Sequence, residues 1–215
     1  MKKIVLLFVL IILTGGEIFS QRIGKEVPND EKTLFPKNTL GLDLMIGEGG
    51  FGLGGFYRRE LAENLTFFTD FSISESKDEK EVEYIDYFGR IIVMGKKNRI
   101  FQVPFNFGLQ YRLFSESLTD NLRPYINAGF GPSLVFTTPF EKEFFSAFGS
   151  ATTYLAAGGY VGMGANFGLN RSSVVGINLR YYVIKFFDGG VEGMTGRNKE
   201  TIGGFFLTIN IGTMY

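Results

Sequence analysis

From Asn38 to the last residue the chain alternates between turn-like stretches and runs in which apolar side chains recur at every second position, with glycine, serine, asparagine and charged residues between them. A period of two places successive side chains on opposite faces of a strand, so each run predicts one apolar face and one mixed face. The first run sets Leu40, Leu42, Leu44 and Ile46 against Asp43. The second sets Phe51, Leu53 and Tyr57 against Gly52, Gly54 and Arg58. The third sets Leu65, Phe67, Phe71 and Ile73 against Asn64, Thr66, Asp70 and Ser72. The fourth sets Phe101 to Tyr111 against Gln102, Asn106, Gln110 and Arg112. Ile126 to Leu134, Leu155 to Phe167 and Val175 to Val183 supply three more, the last opposite Asn178, Arg180 and Tyr182. The eighth places Phe205, Leu207, Ile209, Ile211 and the terminal Tyr215 on one side.

Eight antiparallel runs, an even number, let an up-and-down barrel begin and end on one side. Many exceed the ~9–11 residues that cross a bilayer at a tilt. The connections after runs two, four and six are short. Those after three, five and seven are long, which matches short periplasmic turns and long outer loops. The long connection at 75–98 opens with an almost wholly charged stretch, and Tyr84 to Val93 within it suggests a hairpin extension. Residues 137–150 form a Phe-rich loop, and about 187–199 a Gly-rich polar one. Pro104 cannot donate to a ladder, so a bulge is expected there.

The expected fold is therefore all-β, an eight-stranded antiparallel up-and-down transmembrane β-barrel over 38–215. Hydrocarbon leaves no partner for an unpaired sheet edge, so a spanning sheet must close. Beyond residue 20 no apolar stretch approaches the ~18 residues that mark a helical span. Residues 1–20 read as a secretory signal: Lys2 and Lys3, then an unbroken apolar run from Ile4 to Leu13, with a cut before Gln21. Residues 21–37 are polar, carry two prolines and read as a linker.

Composition narrows the chemistry. The 22 basic and 22 acidic residues balance, so no nucleic-acid partner is expected. The chain has no Cys and no His, which removes thiolate nucleophiles and the histidine bases on which barrel hydrolases rely. Gly50 to Gly55 satisfies G-x-G-x-x-G, but in a hairpin rather than between strand and helix, so it reads as a turn with small inward residues. Gly158, Gly162 and Gly164 share one strand face and make room for larger side chains. No catalytic residue, cofactor or metal site is expected, since the carboxylates are not clustered at ligand spacing. Asp43, Asp70, Arg112 and Arg180 lie on mixed faces and are the candidates for a lumen ion-pair network, because buried charges need partners. Tyr57, Tyr111, Tyr125, Phe136, Tyr154, Tyr181 and Tyr215 fall near strand ends. They read either as interfacial girdles or as the ordinary preference of aromatics for strands.

The last run resembles the closing strand of a bacterial outer-membrane barrel. Its Phe205, Leu207, Ile209, Ile211 and Tyr215 then take the place of a C-terminal insertion signal. Residues 102–112 (QVPFNFGLQYR) and 123–132 (RPYINAGFGP) resemble paired strands of the small outer-membrane β-barrel domain family of Bacteroidetes, to which PorT-related proteins belong. The resemblance implies an integral outer-membrane protein with no agreed catalytic residues, some of whose relatives are linked to secretion or surface assembly. Its expected partners are outer-membrane lipid, the barrel-assembly machinery and a surface or periplasmic protein. Two other functions fit the pattern: a narrow channel lined by the four charged residues, and a soluble periplasmic lipocalin-like barrel with its apolar face inward.

Overall fold

The computed structural model describes residues 37–77, 81–85, 87, 89, 91–115, 117–118, 122–168 and 172–215. The expected signal, 1–20, and the polar segment up to residue 36 lie outside the described residues. Twelve strands follow: β1 (Asn38–Gly47), β2 (Gly50–Ala62), β3 (Leu65–Ser76), β4 (Glu83–Ile85), β5 (Ile91–Val93) and β6 (Asn98–Arg112). Then come β7 (Leu122–Pro139), β8 (Thr152–Gly168), β9 (Ser173–Phe186), β10 (Val191–Met194), β11 (Arg197–Lys199) and β12 (Thr201–Met214). Eight of them close into one antiparallel barrel in the order β1-β12-β9-β8-β7-β6-β3-β2. The other four form two small hairpins, β4–β5 and β10–β11, in the long connections.

Closure joins the two ends of the barrel sequence. Asn38 and Tyr215 exchange backbone hydrogen bonds of 3.2 and 3.0 Å, and the ladder continues to Gly47 opposite Phe206. The pairing also fixes the tilt. Starting at Asn38, paired residues lead around the wall through Arg59, Phe67, Leu109, Ala128, Val161, Tyr181 and Phe205. Phe205 returns beside β1 one step beyond the Gly47–Phe206 pair, at Glu48. Glu48 stands ten residues along from Asn38, so the shear is ten. With eight strands that corresponds to a tilt of about 40° and an interior only wide enough for side chains.

Each strand turns its apolar file outward. Leu40, Leu42, Leu44 and Ile46 on β1, Phe51 and Leu53 on β2, and Leu207 and Ile211 on β12 are all exposed. Asp43, Asp70, Asn106, Asn178, Arg180 and Asn210 are buried inside. That is the reverse of a soluble barrel and the opposite of what a lipocalin-like pocket needs. An apolar outer belt around a polar interior is stable only with hydrocarbon outside, so the protein is a membrane β-barrel.

Both strand termini share one end, here the proximal end, with the connections 63–64, 113–121 and 169–172. The distal end carries 48–49, 77–97, 140–151 and 187–200. The expected loop asymmetry is therefore present, with the tight first turn as its exception. Tyr84–Val93 does form a hairpin, whereas the segment 187–199, expected as a plain loop, contains β10–β11.

The bulge expected at Pro104 does not form. Pro104 interrupts the ladder towards β3, and Pro132 interrupts it between β6 and β7. In both cases pairing resumes in the same register. Each proline removes one donor but adds no residue, so no offset arises. The barrel's one shift among these ladders lies at Glu60/Ala62, on the proximal rim.

Candidate functional site

The inward face of an eight-stranded barrel is packed by alternate residues from every strand. Here it is layered. Large side chains lie over inward glycines: the Phe56 ring fills the space beside Gly41 and Gly212, and a Cβ on Gly164 would stand 2.8 Å from Tyr125 Oη. The glycine file of β8 thus does the spatial work its pattern suggested.

Midway along the lumen, β9 brings Arg180 between β1 and β3. Its Nη2 donates to Asp43 Oδ2 at 2.8 Å, and its Nη1 stands 3.7 Å from Asp70 Oδ2. Both carboxylates are further anchored. Asn210 Nδ2 donates to Asp43 Oδ1, Asn106 Nδ2 donates to Asp70 Oδ1 at 2.8 Å, and Tyr160 Oη donates to Asp70 Oδ2 at 2.6 Å. Arg180 also donates to Tyr182 Oη at 3.3 Å and lies 5.0 Å over the Tyr160 ring. A buried charge is tolerated only when paired and hydrogen-bonded. This cluster meets both conditions from six strands at once.

Three of the four charged residues expected in the lumen therefore meet, and the fourth does not. Arg112 faces inward but sits at the proximal end of β6, where its Nη2 donates to the Leu118 carbonyl at 2.7 Å. Parity along a strand decides inward or outward; the height of a residue in the lumen depends on the shear, which parity does not contain. Arg58 also lies at the proximal level. It donates to Asn166 Oδ1 at 3.1 Å and lies 4.1 Å over the Phe56 ring. Asn106, Tyr160, Tyr182 and Asn210 were absent from the expected site. Their mixed-face positions were legible, their joining of the ion cluster was not. Of the aromatics read either as girdle residues or as ordinary strand formers, Tyr125 and Tyr154 face inward: Tyr125 is buried and Tyr154 packs on an apolar layer.

That apolar layer closes the distal mouth. Ile100, Val135, Ala156, Ile184, Phe186 and Ile202 from five walls pack around Val191 of β10. The β10–β11 hairpin is tied down there. Lys97 N–H donates to the Gly193 carbonyl at 2.9 Å, Asn98 Nδ2 donates to the Glu192 carbonyl at 2.8 Å, and Lys97 pairs with the Glu192 carboxylate. Hydrogen bonds from the Lys97 ammonium and from the Gly196 N–H, 2.7 Å away, hold the Glu192 carboxyl below the usual glutamate range. The hairpin is a lid whose underside belongs to the barrel core.

The expected C-terminal insertion residues Phe205, Leu207, Ile209, Ile211 and Tyr215 share the outward file of β12. All but the half-buried Ile209 are exposed. The Phe205 ring lies 4.7 Å from that of Tyr181, tilted by 49°, on the outer face.

No protein-family model matches the sequence, and no curated protein matches it closely enough to count as a relative. Among solved structures the chain is similar to Neisserial surface protein A, with a TM-score of 0.50 at 10% identity over 83% of this chain and 94% of that one. It is also similar to the N-terminal β-barrel domain of Pseudomonas aeruginosa OprF, with a TM-score of 0.48 at 11% identity over 85% of this chain and 100% of that domain. At these identities the likeness to the Neisserial protein bears on the fold alone: a closed, eight-stranded antiparallel barrel.

Proposed function

We propose that this chain is an integral barrel of the bacterial outer membrane that conducts nothing and works through its distal loops, in surface contact or in secretion and assembly. One observation carries the reading: the lumen is blocked twice, by the Asp43–Arg180–Asp70 cluster and by the apolar layer under Val191. A barrel so filled offers no continuous path for solute and no open cleft for a substrate. The belt supplies the contact with outer-membrane lipid, the outward file of β12 ending at Tyr215 is the segment offered to the assembly machinery, the distal connections are offered to a surface protein, and a periplasmic partner would meet the proximal turns. The sequence resemblance at 102–132 supports kinship with the Bacteroidetes family of small barrels that includes PorT-related proteins. No enzymatic role is assigned.

Topology labelling in cells tests this reading. The chain has no cysteine, so single replacements report cleanly. Tyr87→Cys, on the distal hairpin β4–β5, is expected to react with a membrane-impermeant maleimide on intact cells. Glu63→Cys, in the proximal β2–β3 turn, is expected to react only after permeabilisation. Recovery of the protein in a soluble periplasmic fraction contradicts the proposal.

A further inference from the structure

The connection between β7 and β8 does not project from the barrel. On β6 the outward apolar file ends at Phe101 and the next outward residue is Arg99; on β7 the corresponding file ends at Phe136. Phe101 and Phe136 stack at 5.1 Å. The loop then folds back over them. A single helical turn, Phe144–Ala147, and the residue after it bring Phe144 to 6.1 Å and Phe148 to 5.8 Å from the Phe101 ring. Phe148 also stands 6.0 Å from Phe136. Arg99 holds this arrangement: its guanidinium donates to the carbonyls of Pro139, Phe140 and Lys142 at 3.2 to 3.3 Å and lies 4.8 Å over the Phe140 ring. Phe145, on the far side of the turn, is 86% exposed.

We infer that this Phe-rich turn is a membrane-inserted foot: Phe144, Phe145 and Phe148 lie in the distal leaflet at the edge of the hydrocarbon, against lipid acyl chains. The patch is continuous with the lipid-facing belt through Phe101 and Phe136, which argues for acyl chains as the occupant. Arg99, the first charge beyond that apolar file, stands where a long cationic side chain reaches the phosphate level while its stem stays on apolar surface. Aromatic rings gather at this depth because it accepts their apolar bodies beside the head groups. The loop at 137–150, expected from its sequence as one of the long outer connections, becomes a lipid contact, and the outward-reaching role falls to the β4–β5 hairpin. The inference rests on the membrane-barrel reading of the belt.

The chain contains no tryptophan, so a single introduced indole is the sole such emitter. Three full-length variants are refolded into phosphatidylcholine vesicles with and without bromines on the upper acyl chain: Phe145→Trp, Leu44→Trp in the belt, and Tyr87→Trp, whose parent side chain is 98% exposed on the β4–β5 hairpin. Brominated lipid is expected to quench Phe145→Trp by at least half as much as Leu44→Trp, and to leave Tyr87→Trp nearly unchanged. Quenched Leu44→Trp with unquenched Phe145→Trp overturns the foot and leaves the barrel standing. Unquenched Leu44→Trp overturns the membrane reading and the foot with it.

Discussion

Arg180 Nη2 lies 2.8 Å from Asp43 Oδ2, although 137 positions of chain separate the two residues. Only barrel closure brings them together, because β1 reaches β9 through β12. The pair thus reports on the complete wall rather than on one hairpin. Arg180→Met leaves two buried carboxylates without their cation, and a loss of about 3–5 kcal/mol is expected. Urea unfolding in lipid vesicles measures it. Adding Asp43→Asn and Asp70→Asn is expected to restore most of the loss. A cost of under about 1 kcal/mol for Arg180→Met, as for a solvated pair, speaks against a dry cluster.

The glycine files set a second test. A Cβ at Gly108 runs into the Ala128 carbonyl and the Phe68 ring, whereas one at Gly149 meets nothing within 4 Å. Gly108→Ala is expected to destabilise the barrel by about 1–3 kcal/mol through overpacking. Gly149→Ala, on the distal connection, should stay within about 0.5 kcal/mol of the parent. Equal effects at the two sites argue against a tightly filled lumen.

The lid has its own pH dependence. The Glu192 carboxyl is held down first by the Lys97 hydrogen bond and then by the Gly196 N–H. A depressed carboxylate contributes its stability above the ordinary glutamate range and loses it as pH falls through the lowered value. Protection of the Gly196 amide, taken relative to its intrinsic exchange rate, is therefore expected to fall as the solution is acidified below the ordinary glutamate range, while the barrel strands stay protected. In Glu192→Gln the acid-dependent step should vanish. An unchanged step in that variant assigns the pH dependence to another group.

Tyr215 joins the seam and the proposed recognition file of β12 at once. Its backbone pairs with Asn38, and its ring is exposed. Deleting it removes the last pair of a ladder that already holds from Thr39 to Gly47. Folding in detergent should change little, while the yield of assembled barrel in cells should fall several-fold more. Parallel losses in both assays reduce Tyr215 to an ordinary strand end.

Much of this architecture was readable because a strand's faces follow from its own sequence. Leu42 and Asp43 differ by one position and by side of the wall, and that alternation survives in all eight barrel strands. What was not readable depends on neighbours. Arg112 has the right parity but the wrong level for Asp43 and Asp70, since level comes from a shear shared by the whole wall. Pro104 suggested a bulge because a single strand shows the lost donor without showing that the register closes again. The lid at Val191 carried no clear period, because four residues of β10 are too few for one. Its place is set by Lys97, Asn98 and Ile100 from another part of the chain. The Phe-rich turn looked like an external loop because its composition says nothing of Phe101 and Phe136 beneath it.

The closed lumen is the claim on which the functional account turns. Conductance of the refolded protein in planar phospholipid bilayers tests it most directly. With Arg180 bridging the two aspartates and Val191 seated in the distal layer, insertion is expected to leave the bilayer without a stable open channel. A reproducible conductance of porin size from the parent protein contradicts the account.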